Sequence, residues 1–215
     1  MVHNDSQGRL TLATHLHLGD LPDDLDLGPV VAVDSETMGL RYRRDPLCVV
    51  QLSSGDGNAH IVRLNRPDYD CPNLKRLLVD PAVLKLFHFA RFDIAMFQLY
   101  LGVDTWPIYC TKIASKLART YTDRHGLKDV ARELAGVELS KAQQSSDWGS
   151  QTLSKDQLAY AASDVLHLHR IRDQLDLMLA REGRAGLAQA CFDFLPTRAR
   201  LDLGGWEEMD IFAHA

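Results

Sequence analysis

The stretch GPVVAVDSETMGL, Gly28 to Leu40, decides how this chain is read. A nearly unbroken apolar run, of the kind that fills a buried strand, ends in two acids, Asp34 and Glu36, one residue apart. Residues two apart on a strand face the same way, so the two carboxylates project together. A single acid after an apolar run usually marks a solvated strand exit. Two acids on one face raise each other's pKa unless a cation lies between them. Magnesium, a hard ion that prefers oxygen ligands, is the natural cation for that place.

Working outward from this strand, the chain alternates β-rich and helical patterns. LCVVQLSS (Leu47 to Ser54) and NAHIVRL (Asn58 to Leu64) read as strands joined across GDG, a hairpin signal. PNLKRLLVD reads as a short helix, VLKLFHF as a strand, and ARFDIAMFQLYLG as a helix ending at Gly102. TKIASKLARTY and GLKDVAREL follow as helices. SKDQLAYAASDVLHLHRIRDQLDLMLAREG reads as one long helix, with Ser154 and Gln157 placed for a capping box at its start. LGDLPDDLDLG, ahead of the first strand, reads as an acidic loop. The segment after Gly186 holds one short helical piece, and GGWEEMDIFAHA fits no element. The order predicts an α/β layered domain with a mixed sheet.

Composition narrows the classes. The chain has 215 residues, 46% hydrophobic and 25% charged, enough for one globular domain with a buried core. Cys48, Cys71, Cys110 and Cys191 are scattered and form no CxxC pair, which argues against a zinc ribbon or disulfide framework and for a reducing compartment. MVHNDSQGRL is not a signal-peptide pattern, and no long uncharged apolar run follows. The expectation is a soluble, cytoplasmic protein with no membrane association. A net charge of −5 excludes a general nucleic-acid coat, although RYRR (Arg41 to Arg44) and the spaced Lys112, Lys116 and Arg119 are locally basic. The latter three read as a solvated helix face.

Further acids join the first pair. Asp93, in HFARFDIAMF, lies near the start of its helix, where the dipole alone favours an acid. Tyr160 and Asp164 are four apart and share a helix face, at the edge of the stripe formed by Ala161, Val165, Leu168, Ile171 and Leu175. An acid there points toward the sheet and needs a partner. No basic residue occupies the adjacent turns, and His167 is the only local candidate.

Together these make an ordered set: D-x-E on the first strand, an Asp opening a middle helix, and Y-x-x-x-D on a late one. The set resembles the 3′–5′ exonucleases of the DEDD superfamily, in the branch with a tyrosine. The resemblance extends to the ribonuclease D family through VAVDSETMGLR, CVVQLSS, LFHFARFDIAMF, TKIASKLA, GLKDVARELAGVELSKAQQSSDW and LSKDQLAYAASDVLHLHRI, in that order. The sister branch carries a histidine five residues before the last acid, and that position here is Ala159.

The resemblance implies a ribonuclease H-like mixed five-stranded sheet flanked by helices. Three antiparallel strands come first, followed by strands parallel to the first. It implies an N-terminal extension over residues 1–28, an exonuclease domain over 29–182, and a C-terminal helical piece and tail over 183–215. Two divalent ions, Mg²⁺ or Mn²⁺, are expected among Asp34, Glu36, Asp93 and Asp164, with Asp34 bridging and Tyr160 orienting the attacking water; such ions typically lie about 3.5–4 Å apart. Met38, Gly39 and Leu40 are expected to meet the terminal nucleotide, with His88, Phe92 and Gln144 along the cleft; the histidines at 88, 167 and 169 are not expected to bind metal. The implied activity is removal of nucleoside 5′-monophosphates from single-stranded 3′ ends of RNA, in trimming of structured, tRNA-type RNA. Action mainly on DNA and a catalytically silent nucleic-acid-binding module are the alternatives. The larger family members carry further helical domains that grip RNA. Their absence after this nuclease segment implies distributive trimming that halts near stems.

Overall fold

The computed structural model describes residues 13–140 and 142–214. Among these, six strands form one sheet: β1 (Ala13–Leu18), β2 (Val30–Thr37), β3 (Leu47–Ser53), β4 (Asn58–Arg63), β5 (Leu84–Phe87) and β6 (Ile108–Cys110), in the order β1-β4-β3-β2-β5-β6. β2, β3 and β4 are successively antiparallel, while β5 pairs parallel with β2 and β6 with β5. That is the ribonuclease H-like order. The sheet holds one strand more than expected. β1 falls inside the stretch expected to be an extension and pairs parallel with β4, from Ala13 opposite Asn58 to Leu18 opposite Arg63. It escapes sequence reading because its apolar members face water: Leu16 and Leu18 are exposed. Residues 1–12 of the expected extension lie outside the described residues.

Helices cover the sheet: α1 (Pro72–Val79), α2 (Ala90–Met96), α3 (Thr111–Ala118), α4 (Leu127–Val130), α5 (Lys155–Leu166), α6 (Leu168–Arg181) and α7 (Ala185–Leu201). β3 is buried along its whole length, and the wholly buried Val31, Ala32 and Val33 of β2 lie beside it. α2 and α4 each run on through one wide turn, Phe97–Leu101 and Ala131–Ala135. Gly102 and Gly136 close these turns in the left-handed region, which glycine enters without steric cost.

The expected single long helix is two. It starts on the capping box as read: Gln157 N donates to Ser154 Oγ at 3.1 Å and Ser154 N to Gln157 Oε1 at 2.9 Å. It breaks at His167, whose φ of −110° and ψ of −4° depart from regular helical values. No proline or glycine marks the break. α5 packs across β1 to β4, whereas α6 turns toward α3 and β5. The break lets two buried stripes in one chain segment meet two different surfaces.

The C-terminal piece is a full helix. α7 packs on α2, α3 and β6, and the residues beyond it are tied down by Asp202. This buried acid accepts from Arg91 Nε at 2.5 Å, from Arg198 at 2.8 Å and from the Tyr42 hydroxyl at 3.3 Å.

Candidate active site

Exposure along β2 changes at one residue. Val31 to Val33 are buried, and from Asp34 onward the strand is only half-buried. The strand therefore delivers Asp34 and Glu36 to the mouth of a cleft. α5 crosses above and brings Asp164 to them. One carboxylate oxygen from each of Asp34, Glu36 and Asp164 lies within 4.8 Å of the others. Tyr160, one turn earlier on α5, lines the same cleft as Asp164. Its ring is backed by the buried Trp148, with centroids 6.1 Å apart.

Asp93 reaches the same cleft from α2, which starts just after β5. It stands outside the close trio. Ser35 Oγ, between the two acids of β2, donates to Asp93 Oδ1 at 2.6 Å. A second polar partner comes from β3. Gln51 lies opposite Asp34 in the register, and its Nε2 donates to Asp34 Oδ2 at 2.6 Å. Sequence reasoning singles out neither Ser35 nor Gln51. For Gln51 a signal exists: it is a polar residue inside an otherwise apolar, wholly buried strand, and such residues have partners.

The electrostatics follow from burial without a cation. None of the four acids is ion-paired among the described residues. Burial, then the charges of Asp93, Asp164 and Glu36, holds Asp34 well above the usual carboxylate range. Burial, then Asp164 and Asp93, pushes Glu36 up to about 9, against a lowering hydrogen bond from Gln51. Burial lifts Asp93 and Asp164 to about 7. Tyr160 is raised by burial and then by Asp164, Glu36 and Asp34, so its phenol keeps its proton.

The cleft encloses about 580 Å³ and is lined by every residue expected there: Met38, Gly39, Leu40, His88, Phe92 and Gln144 as well as the acids and Tyr160. Met38 and Leu40 present exposed apolar side chains, 47% and 80% accessible. Gly39 between them has to be small, because a side chain there would collide with the carboxylate of Asp45. His88 accepts or donates at Thr111 Oγ1 through Nδ1 at 2.9 Å, and its Nε2 is buried with no partner among the described residues. Burial, with Lys112 nearby, lowers its pKa to about 3, so the ring is neutral. The basic residues of α3 and its end separate. Lys112 lines the cleft. Arg119 turns inward, where Glu133, Ser115 Oγ and the Arg124 carbonyl hold it, and has no role at a phosphate.

With that geometry in place, comparison with known proteins is direct. The family described as 3′–5′ exonuclease matches residues 14–180. The chain belongs to that exonuclease family. It is 39% identical over 156 residues to Ribonuclease D of Granulibacter bethesdensis, covering 73% of this chain and 39% of that protein. The chain thus spans about two fifths of the length of the curated relatives it matches. Solved structures of Brucella melitensis NrnC match this chain over their full length. The form with bound Mg²⁺ has 51% identity and a TM-score of 0.90, covering 94% of this chain and 100% of that one. The form bound to pGG has 51% identity and a TM-score of 0.92, covering 95% and 100%. Among the described residues, no helix is long and apolar enough to cross a membrane.

Proposed function

We propose that the chain is a metal-dependent 3′–5′ exoribonuclease that releases nucleoside 5′-monophosphates. The observation that carries this is the convergence of Asp34, Glu36 and Asp164 within 4.8 Å, with no ion-pair partner for any of them among the described residues. Three half-buried carboxylates are a donor set for a hard divalent cation, and the raised pKa values measure how unfavourable the set is without one. The residues therefore fit the metal the family uses. Asp34, Glu36 and Asp164 would hold one Mg²⁺ or Mn²⁺, and Asp34 with Asp93 a second. Bound there, the ions would activate water and neutralise charge developing on the attacking and leaving oxygens.

The chain's own residues supply orientation. Gln51 engages Asp34 Oδ2 and so fixes the rotation of that carboxylate, while Ser35 fixes the rotation of Asp93. Outer partners of this kind set the direction of ligating groups. Tyr160 keeps its proton and so acts as a hydrogen-bond partner that positions the attacking water, braced by Trp148. Met38 and Leu40 offer an apolar surface to the terminal base, with Gly39 keeping the turn close. The neutral His88, Phe92 and Gln144 complete the wall around the terminal nucleotide.

RNA is supported by the ribonuclease D relatives and by NrnC bound to pGG. A cleft of about 580 Å³ is of small-molecule size and admits a few unpaired nucleotides rather than a duplex. We therefore favour short single-stranded 3′ ends, down to a dinucleotide, as the substrate. Trimming of tRNA-type ends is the second reading, favoured by the names of the relatives. We assign the activity to residues 29–182, with 183–215 as a helical supplement, and to the cytoplasm, where the buried free thiols of Cys48, Cys71 and Cys110 stay reduced.

Matched 5′-labelled RNA and DNA oligonucleotides, pGG and a hairpin with a 3′ tail, each in Mg²⁺, Mn²⁺ and EDTA, test this reading. RNA and pGG should shorten from the 3′ end only with metal. Full hydrolysis in EDTA would sink the metal-dependent scheme, and preferred attack on DNA would overturn the RNA assignment.

A further inference from the structure

The turn from Ser146 to Gln151, which leads toward α5, backs two side chains of the cleft at once. Trp148 is buried, and its ring lies 6.1 Å from that of Tyr160. Its neighbour Gly149 lies against Met38, which follows β2. A Cβ on Gly149 would stand 2.5 Å from Met38 Sδ, so only a hydrogen fits between the turn and that thioether. Two successive residues of one turn therefore support the phenol that positions water and the apolar side chain offered to the terminal base.

The turn is held from two sides. On one side is Gln157, the buried third residue of α5. Its Oε1 serves the capping box, and its Nε2 donates to Ser146 Oγ and to the Asp147 carbonyl, both at 3.1 Å. That ties the turn to the start of α5, one helical turn before Tyr160. On the other side are two arginines of β4 and its exit. Arg66 Nη2 donates to the Gly149 carbonyl at 2.7 Å, and Arg63 donates to the Gln151 carbonyl. Inside the turn, Gly149 N donates to Asp147 Oδ1 at 3.0 Å. Arg66 is exposed, does not line the cleft and forms no ion pair among the described residues. Changing such a residue ordinarily has little effect. Here its hydrogen bond ends on the residue that Met38 rests against.

We propose that Arg66 is a positioning residue for the reaction. By holding the Gly149 carbonyl it fixes Gly149 and Trp148, and through them sets Met38 and Tyr160 in one frame. The terminal nucleotide and the attacking water then meet in register. The proposal rests on the exonuclease reading and extends it. A shared brace matters because in-line attack tolerates little misplacement; an error of about 1 Å costs up to roughly a hundredfold in rate.

The test is a mutant cycle on the full chain, with a 5′-phosphorylated diribonucleotide and Mg²⁺. Arg66→Ala should lower kcat/KM about tenfold or more, with kcat falling and KM rising, while the melting temperature stays that of the unaltered protein. Gly149→Ala pushes only the flexible end of Met38, so it should raise KM severalfold and leave kcat in place. In a chain already carrying Met38→Ala and Tyr160→Phe, adding Arg66→Ala should cost no more than about twofold, because the groups it acts through are gone. The same loss in both backgrounds would overturn the proposal, since it would mean that Arg66 acts on the RNA directly or through other groups. Unchanged kinetics in Arg66→Ala would overturn it as well. Absence of hydrolysis by the unaltered protein would instead overturn the exonuclease reading. Methionine-methyl ¹³C NMR without substrate then still decides the brace, with Met38→Ala identifying the Met38 signal. A shift of that signal in Arg66→Ala, with Met96 and Met178 unmoved, supports it; an unmoved Met38 signal overturns it.

Discussion

Two acidic regions draw on α2, one through Arg91 and the other through Asp93, and they are built on opposite principles. Asp202 is 3% exposed and is met by two arginines and a tyrosine hydroxyl. Asp34, Glu36, Asp93 and Asp164 share one cleft and form no ion pair among the described residues; the hydrogen-bond partners of Asp93 and Asp34, Ser35 and Gln51, are neutral. The first region closes its own charge and joins the tail to the domain. The second leaves its charge open, at a cost to the metal-free fold that an external cation would relieve. An acid in the protein interior thus signals either structure or chemistry, and the partner decides which.

The largest expected effect separates the two roles. Asp34→Ala or Asp164→Ala should lower hydrolysis by at least about a thousandfold, because metal charge stabilisation amounts to several kcal/mol. The same variants should melt no lower than the parent in EDTA, since a repelling charge has gone. Near-parental turnover in either, with a normal melting curve, would show that the cleft acids are not the catalytic set. Asp202→Ala should do the reverse. It should reduce unfolding free energy by about 3 kcal/mol, the low end for a broken buried pair because both arginines reach solvent. Chemical denaturation reads this, and an undiminished midpoint would erase the distinction between the regions.

Tyr160→Phe comes next. Removing one positioning hydrogen bond beside Asp164 should slow turnover by roughly ten- to a hundredfold, equivalent to about 1–3 kcal/mol, while leaving metal dependence in place. Turnover equal to that of the parent would remove the tyrosine from the mechanism.

The smallest effect is one of pH. The cleft carboxylates have folded-state pKa values above their unfolded values, with Asp93 and Asp164 at about 7 and Glu36 at about 9. Between the ordinary carboxylate range and those values the native state binds more protons than the unfolded chain. Metal-free stability should therefore fall as pH rises from about 5 to about 9. Added Mg²⁺ should flatten the slope, and Asp34→Asn should reduce it in EDTA. Melting temperatures independent of pH in EDTA would contradict the raised pKa values.

Much of the fold and of the site is legible in the amino-acid sequence, and the reason is locality. The apolar run into Asp34 and Glu36, the GDG hairpin, the capping box at Ser154 and the spacing of Tyr160 and Asp164 are all signals within a few residues. Each of them marks the position at which the folded chain carries that feature. What is not legible depends on which distant segments meet. β1 is a strand because β4 offers it an edge, and its exposed Leu16 and Leu18 give no burial pattern to find. Arg119 carries the same side chain as an exposed phosphate binder, and only the approach of Glu133 and the Arg124 carbonyl turns it inward.

By itself, then, the sequence determined the periodicities, the caps and the order of chemically distinctive residues, because those follow from backbone geometry and side-chain type over one or two turns. Only the tertiary structure decided that Asp34, Glu36 and Asp164 form a close trio while Asp93 stands aside on Ser35. It also decided that the helix breaks at His167, and that one turn ahead of α5 backs both Met38 and Tyr160. These outcomes depend on angles between packed elements and on charges brought together from segments more than a hundred residues apart, and no local pattern encodes them.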